Sequence, residues 1–174
     1  MNIAVYLGSR PGNDPSFNEE AAKLGSWIAR NDHVLVYGGS RVGTMGVLAQ
    51  TVLSLGGKVI GVMPVFMMKN HLGAEHLTKM ILTKDMSSRR VEMMKQANVW
   101  LAMPGGPGTL DEITEVISDE RLGLIHGHVV IYNKDGYYDD LRNQLRKMIE
   151  MGFYSEEELA HVRFIDSLDE LDSL

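Results

Sequence analysis

The sequence predicts an α/β fold in which helices cover both faces of a mostly parallel sheet, a three-layer, doubly wound arrangement. Short apolar runs alternate along the whole chain with stretches whose apolar residues recur at helical spacing. The runs are continuously apolar, which is typical of strands buried on both faces. Glycine- and proline-rich turns separate the two kinds of segment.

The first part of the chain predicts three strands and two helices. The run at residues 3–8 is short and rich in β-branched residues, and the loop GSRPGNDP follows it. A helix is predicted over residues 15–30, where apolar residues lie three or four positions apart. A strand at 33–39, a helix at 42–55 and a strand at 58–64 follow. Residues 65–76 form a less regular segment.

The second part of the chain continues the alternation. The stretch TKMILTKD precedes a helix predicted over about residues 87–97. A fourth core strand at 98–106 leads into a helix ending near residue 122, and a fifth at 128–133 leads into a helix over 137–151. The run VRFID closes the sheet or caps its edge. Because no linker or low-complexity tract interrupts the pattern, residues 1–174 are predicted to form a single domain.

Composition argues against several functional classes. The 174 residues carry a formal charge of −6, so bulk charge gives no support for nucleic-acid binding. The absence of cysteine excludes disulfides, thiolate nucleophiles and cysteine-based metal sites. No apolar run approaches membrane-spanning length, and the N-terminus lacks the basic flank of a signal peptide. We therefore expect a soluble, cytoplasmic protein without nucleic-acid or membrane partners.

Three glycine-rich loops follow predicted strands, at residues 8–12, 38–46 and 105–108. In a parallel sheet such loops meet at the edge where ligands bind. The glycines of the third loop leave backbone N–H groups uncovered, and Pro107 suits the first turn of the following helix. A helix N-terminus favours anions, most often phosphate. The alternative is a tight strand–helix turn whose glycines serve packing alone.

The glycine loops match neither of two common nucleotide-binding motifs. The third loop lacks the Lys-Ser/Thr pair that ends a Walker loop. The first strand is followed by GSRPGNDP, which is not the GxGxxG pattern of dinucleotide-binding domains. We therefore predict no redox cofactor.

Glu112 is the candidate functional acid. It lies three residues after Thr109, so the two side chains share one helix face. The expected buried stripe of this helix consists of Leu110, Ile113 and Ile117. On this prediction Glu112 faces away from the densest packing and toward the sugar of a bound nucleotide. The nearby Asp111 and Glu115 are interpreted as solvated acids, which are favourable in the first turns of a helix.

A basic pair occupies an unusual position in the preceding helix. Ser87 is the predicted N-cap, so Arg89 and Arg90 fall in the first turn, where the helix dipole disfavours cations. An anionic ligand or a carboxylate such as Glu112 would compensate their charge. The alternative is a solvated basic face.

The two stretches MSSRRVEMM and PGGPGTLDEITEV together resemble the LOG ("lonely guy") family of cytokinin-activating enzymes, long labelled possible lysine decarboxylases. The family pattern is Met-x-x-Arg-Lys-x-x-Met followed by Pro-Gly-Gly-x-Gly-Thr-x-x-Glu. Arg90 stands at the position of the family lysine, and Ser87 at that of a frequent histidine. The segments GSRPG, YGGSRVGTMG and NKDGYYDDL extend the resemblance over most of the chain.

The resemblance implies a Rossmann-like nucleotide-binding domain that hydrolyses the N-glycosidic bond of nucleoside 5′-monophosphates. The implied substrates are cytokinin riboside 5′-monophosphate, AMP or both, and the products are the free base and ribose 5-phosphate. The resemblance also implies that no metal is required and that the protein is a homodimer with the site near the subunit interface.

The resemblance assigns a role to each candidate site residue. Glu112 would stabilise the cationic sugar and activate water, and Arg89 would hold both the substrate and Glu112. The other positions are assigned to substrate binding. They are Gly8, Ser9, Gly105, Gly106, Gly108 and Thr109 for the phosphate, Arg90 at the family's basic position, and Met86 with residues 65–76 for the base.

Other interpretations have weaker support in the sequence. His71 and His76 are five residues apart, on different helix faces, while His126 and His128 would supply only two metal ligands. A pyridoxal-dependent decarboxylase is disfavoured because no lysine has a phosphate-site context of its own. The main alternative is a nucleotide-binding carrier or regulator on the same fold, without turnover. A second is an AMP nucleosidase with no cytokinin role.

Overall fold

The computed structural model describes residues 1–69 and 72–174. Its strands each span four to seven residues and form one sheet. They are β1 Asn2–Tyr6, β2 Val34–Tyr37, β3 Lys58–Pro64, β4 Lys79–Thr83, β5 Val99–Ala102, β6 His128–Tyr132 and β7 Val162–Ile165. The order across the sheet is β4-β3-β2-β1-β5-β6-β7, and every neighbouring pair is parallel. The predicted α/β class is confirmed, with a sheet that is parallel throughout.

Helices connect the strands and cover the sheet. They are α1 Ser16–Arg30, α2 Gly43–Ser54, α3 Val65–Lys69, α4 Met86–Lys95, α5 Pro107–Arg121, α6 Asp139–Glu150 and α7 Glu156–Leu159, with 3-10 turns at Lys134–Gly136 and Leu168–Ser173. No helix within residues 1–69 and 72–174 is long and apolar enough to cross a membrane.

The sheet has one buried layer on each face, as a doubly wound fold requires. On one face, Leu24 of α1 and Leu48 of α2 pack over the central strands. On the other, Met93 of α4, Ile113 of α5 and Leu145 of α6 pack over the same sheet. Both layers consist of fully or nearly fully buried apolar side chains. The strands are therefore held between two apolar layers, which explains their continuously apolar sequences.

The chain reverses direction across the sheet at the centre. It moves outward from β1 to β4, then returns to place β5 on the other side of β1. The β1–β5 register pairs Tyr6 with Ala102, so the two strands end side by side. The loops that follow them diverge to opposite faces and leave a crevice, the position where ligands bind in open parallel sheets.

Several predicted boundaries need correction. The segment at residues 65–76 was expected to be irregular but begins with the short helix α3, while Asn70 and His71 lie outside the described residues. Ser87 is not the N-cap of α4. Asp85 is the cap: its carboxylate accepts a hydrogen bond of 2.8 Å from the Ser88 N–H. The Ser88 hydroxyl lies 3.2 Å from the Asp85 N–H and completes a capping box.

The buried stripe of α5 also differs from the prediction. Leu110 is 43% exposed, whereas Glu112 is only 7% exposed. The residues that face inward are Thr109, Glu112, Ile113, Val116 and Ile117. Their spacing is helical, but the first turn of the stripe is polar because the start of α5 faces the crevice rather than the apolar core. A pattern based on apolar residues alone therefore selected the wrong residue there.

Candidate active site

A cleft of about 980 Å³ opens at the carboxyl ends of the central strands. The loops after β1, β2 and β5 form its walls together with the start of α4. Every residue predicted for the site from the sequence lines it. These are Gly8, Ser9, Met86, Arg89, Arg90, Gly105, Gly106, Gly108, Thr109 and Glu112.

A buried ion pair lies against this cleft. Arg89 Nη1 donates a hydrogen bond of 2.7 Å to Glu112 Oε1, and the two residues are 5% and 7% exposed. Arg89 Nε donates to the Val62 carbonyl at 3.0 Å. The guanidinium is thus held by β3 on one side and by α5 on the other. Burial and hydrogen bonding together fix the orientation of the Glu112 carboxylate.

Gly38, just after β2, makes room for this ion pair. A methyl group at this position would lie 2.0 Å from Arg89 Nη2. Such an approach is impossible without moving the guanidinium, so the glycine after β2 is a steric requirement of the Arg89 position. The double glycine after Tyr37 was noted from the sequence as a ligand loop, and its contact with Arg89 required the tertiary structure.

Burial and neighbouring charges shift the pKa of Glu112. Burial raises the pKa of Glu112 above its ordinary value, while the charge and hydrogen bond of Arg89 act in the opposite direction. Burial, assisted by the negative charge of Glu112, also raises the pKa of Tyr6 at the end of β1. Glu112 therefore combines a fixed orientation with a proton affinity above that of an exposed glutamate.

The β5–α5 loop, residues 103–106, leads into the N-terminus of α5 at the cleft. Gly106 is the N-cap residue, and Pro107 occupies the first helical turn, as the sequence predicted. In the described part of the chain, the N–H groups of Gly105, Gly106 and Gly108 have no hydrogen-bond acceptor. Methyl groups at Gly106 and Gly108 would meet nothing within 4 Å. These free donors at a helix N-terminus suit an anion.

The β1–α1 loop packs directly against the β5–α5 loop. A methyl group at Gly105 would lie 3.0 Å from the Gly8 nitrogen and 2.2 Å from Thr109 Oγ1. Thr44, in the first turn of α2, donates a hydrogen bond of 2.6 Å from its hydroxyl to the Gly8 carbonyl. The three glycine loops therefore contact one another in series, and Thr44 fixes the position of the first.

Arg90 is paired more extensively than the sequence indicated. Its Nε lies 2.6 Å from Glu115 Oε2, and its Nη1 lies 3.2 Å from Asp111 Oδ2. Asp111 is solvated, as the sequence predicted, and Glu115 is partly so, but both also pair with Arg90. Met86 is 38% exposed and lines the cleft, as does Met67.

Other cleft residues carried no assigned role in the sequence analysis. Arg10 lies in the first loop, and its guanidinium has no ion-pair partner within the described residues. Tyr137 donates a hydrogen bond of 2.6 Å from its hydroxyl to the Gly105 carbonyl. Thr44, Arg10 and Tyr137 all stand in segments that resemble the LOG family. The resemblance of those segments to the LOG family was the sequence signal that could have identified these three residues as part of the site.

Within residues 1–69 and 72–174, His126 and His128 do not belong to a potential metal site. That part of the chain contains no cluster of three or more potential His, Asp or Glu ligands. His126 and His128 are exposed at the end of the sheet remote from the cleft. His71, of the other histidine pair, lies outside the described residues.

The fold and the cleft define a class of protein, a Rossmann-like α/β protein with free backbone N–H groups at a helix N-terminus and a buried acid. The fold of this chain is similar to that of the molybdenum cofactor binding protein from the phototrophic bacterium Rippkaea orientalis. That structure has a TM-score of 0.74 and 22% identity, covering 99% of this chain and 93% of the other. At this identity the likeness concerns the fold alone.

Sequence relatives identify the family. The model of the family described as "possible lysine decarboxylase" matches residues 45–173. "Probable cytokinin riboside 5'-monophosphate phosphoribohydrolase LOG4" of Oryza sativa subsp. japonica is 39% identical over 87% of this chain and 66% of its own length. "Cytokinin riboside 5'-monophosphate phosphoribohydrolase LOG7" of Arabidopsis thaliana is 39% identical over 88% and 70%. The chain belongs to this family, the LOG family, and spans just under two thirds of the rice protein.

Loss of Arg89 will destabilise the protein in a pH-dependent manner. In Arg89→Met, the buried Glu112 carboxylate loses its partner, and the expected cost is about 3–5 kcal/mol of unfolding free energy at pH 7. A carboxyl whose pKa is raised on folding favours the fold when protonated and loses that contribution as pH rises. The difference in unfolding free energy between Arg89→Met and the wild type, measured by urea unfolding, should therefore become smaller as the pH is lowered from 7 to 5.

The matched control for this experiment is the double variant Arg89→Met/Glu112→Gln. It contains no buried charge at this position, so most of the stability should return and the pH-dependent part of the deficit should disappear. Equal stability of Arg89→Met and the wild type at pH 7 would show that the pair is not desolvated in solution.

Proposed function

We propose that this protein is a phosphoribohydrolase, which cleaves the N-glycosidic bond of a nucleoside 5′-monophosphate to give the free base and ribose 5-phosphate. The observation that carries the proposal is the buried Arg89–Glu112 pair, which faces the same cleft as the free amide groups at the start of α5. The names of the curated relatives describe this activity for those proteins.

The anion site determines how the substrate lies. The N–H groups of Gly105, Gly106 and Gly108 and the hydroxyl of Thr109 hold the 5′-phosphate, with Gly8 and Ser9 approaching from the first loop. Arg10, which has no ion-pair partner in the described chain, adds positive charge at the cleft mouth. Holding the phosphate in this position aims the ribose toward Glu112, so binding supplies orientation for the chemical step.

Glu112 acts at the anomeric carbon. The bond between C1′ and the base nitrogen breaks with its electron pair on the nitrogen, and the sugar acquires oxocarbenium character. The Glu112 carboxylate stabilises that positive charge and accepts a proton from the attacking water. The water oxygen bonds to C1′, and the base nitrogen takes up a proton from solvent. Arg89 fixes the carboxylate throughout.

The base is placed against Met86 and Met67, which both line the cleft. Such flexible apolar side chains adapt to a purine with or without an apolar substituent. We therefore include both AMP and cytokinin riboside 5′-monophosphate among the substrates. Arg90, whose charge Asp111 and Glu115 already neutralise, shapes the cleft wall beside Arg89.

We also propose that the protein is a homodimer with its site near the interface. The helices α4 and α5, joined by the Arg89 and Arg90 ion pairs, both carry large exposed apolar side chains beside the cleft. Val91 and Leu110 are the examples. Burying such residues against a second copy removes apolar surface from water. The cytoplasmic location and the absence of nucleic-acid partners stay predictions from the sequence.

A carrier or regulator on the same fold is the main rival, and turnover separates the two. Purified protein with AMP or isopentenyladenosine monophosphate should release free base. Glu112→Gln should lower the rate by at least about a hundredfold, the scale of a general acid–base contribution. The matched control is Glu120→Gln, the same change on the same helix, where Glu120 pairs with His161 instead. Binding of nucleotide by the wild type without release of base would favour the carrier.

Substitution of Gly108, in the first turn of α5, tests the proposal that this turn binds the phosphate. In Gly108→Ala the new methyl group enters open space, and alanine is favoured over glycine in helices by about 0.8–1 kcal/mol. The variant should therefore unfold at an equal or higher temperature yet show a raised KM for AMP, because the methyl group crowds the phosphate. Wild-type enzyme should hardly act on adenosine. Equal activity on nucleotide and nucleoside would refute the anion-site assignment.

Assembly is tested by charges placed on the apolar faces of α4 and α5. Light scattering should give a mass about twice the 19.4 kDa of the chain for the wild type, and close to one chain for Val91→Asp/Leu110→Asp. Leu124→Asp is the control, since Leu124 is also exposed but lies in the loop after α5. A wild-type mass of a single chain would contradict the dimer.

A further inference from the structure

We infer that Tyr137 is a positioning residue for the anion site: its hydroxyl fixes the Gly105–Gly106 peptide so that the cleft is ready for phosphate before the substrate arrives. The inference rests on the proposed function for its substrate and deepens it. It begins from a contact that the reaction itself does not require, the 2.6 Å hydrogen bond from Tyr137 Oη to the Gly105 carbonyl.

The Gly105–Gly106 peptide needs an external restraint. Two consecutive glycines allow this peptide plane to rotate over a wider range than other residues permit. No other hydrogen bond to the Gly105 carbonyl or from the Gly106 N–H is present in the described part of the chain. The Tyr137 hydroxyl therefore supplies the hydrogen bond that sets the orientation of this plane.

Fixing the carbonyl also fixes the donor. In a trans peptide the C=O and N–H groups of the same plane point in opposite directions. A hydrogen bond that holds the Gly105 carbonyl toward Tyr137 therefore turns the Gly106 N–H away from it. Gly106 is the N-cap of α5, whose free N–H groups face the proposed phosphate position. Preorganised donors reduce the ordering cost of binding.

Aromatic contacts hold Tyr137 in place although it is 47% exposed. Its ring makes edge contacts with Phe17, at a centroid distance of 6.2 Å, and with Tyr138, at 5.0 Å. Phe17 comes from α1 and also lines the cleft. The phenol is therefore fixed by its ring, and its hydroxyl reaches the loop in a defined direction.

The adjacent Tyr138 provides an internal comparison. Its hydroxyl donates a hydrogen bond of 2.8 Å to the Met103 carbonyl, at the end of β5. Tyr138 is 5% exposed, and neither it nor Met103 lines the cleft. Two consecutive tyrosines thus hold two carbonyls two residues apart. One contact secures the sheet, and the other secures the edge of the anion site.

The test compares Tyr137→Phe with Tyr138→Phe, each of which removes a single hydroxyl. Tyr137→Phe should bind ribose 5-phosphate about three- to tenfold more weakly in calorimetry, the range expected for one net hydrogen bond. Its KM for AMP should rise by the same factor while kcat stays within about twofold, and its melting temperature should not change. Tyr138→Phe should melt at a lower temperature and bind ribose 5-phosphate as the wild type does.

Binding of ribose 5-phosphate tests this inference separately from the proposed function, because binding is measured without turnover. If the wild type binds it but releases no base from any nucleotide, the hydrolase proposal fails, and the ratio of the two binding constants still decides the role of Tyr137. Equal binding of ribose 5-phosphate by Tyr137→Phe and the wild type overturns the inference. So does a wild-type protein that binds no ribose 5-phosphate, or a Tyr137→Phe variant whose loss in affinity is matched by Tyr138→Phe.

Discussion

The buried contact between Arg89 and Glu112 is the interaction on which the functional interpretation depends. Removing two charges from water costs several kcal/mol for each ion, and apolar replacements of such pairs are often neutral or stabilising. Stability therefore does not explain why this pair lies within a few ångströms of a large cleft. Its position is explained if a carboxylate of fixed direction and raised proton affinity is needed there, as hydrolysis of a glycosidic bond requires.

The parallel sheet places this pair beside the free amide groups at the start of α5 for a topological reason. Because β1 and β5 are neighbours with all carboxyl ends on one edge, their loops and the β2–α2 loop meet at a single crevice. The Arg89 side chain reaches this crevice because α4 packs against β3 and Gly38 has no side chain. Arg89 and Glu112, which are 23 residues apart in the sequence, are thus brought together by strand order beside the loops that follow β1 and β2.

The same fold serves proteins whose names describe cofactor binding rather than catalysis, so architecture does not separate a hydrolase from a carrier. The distinction lies in single residues. Amide groups at a helix N-terminus suffice to hold a phosphate. Because a carrier and a hydrolase both need them, they do not distinguish the two functions. A buried carboxylate directed toward the sugar would repel a phosphate bound in the wrong position. It is useful only in a reaction that develops positive charge on the sugar, because the carboxylate then stabilises the transition state.

The sequence by itself determined the strand–helix alternation, the α/β class and the loops that line the cleft, because local periodicity and glycine placement encode them. It placed Leu110 inside and Ser87 at a helix start, and both were wrong, since apolar spacing cannot show that the first turn of α5 faces a cleft. Only the tertiary structure decided the partners of Arg89 and Arg90, the steric role of Gly38 and the contact of Tyr137. Each depends on side chains from distant segments that meet only after the sheet has formed.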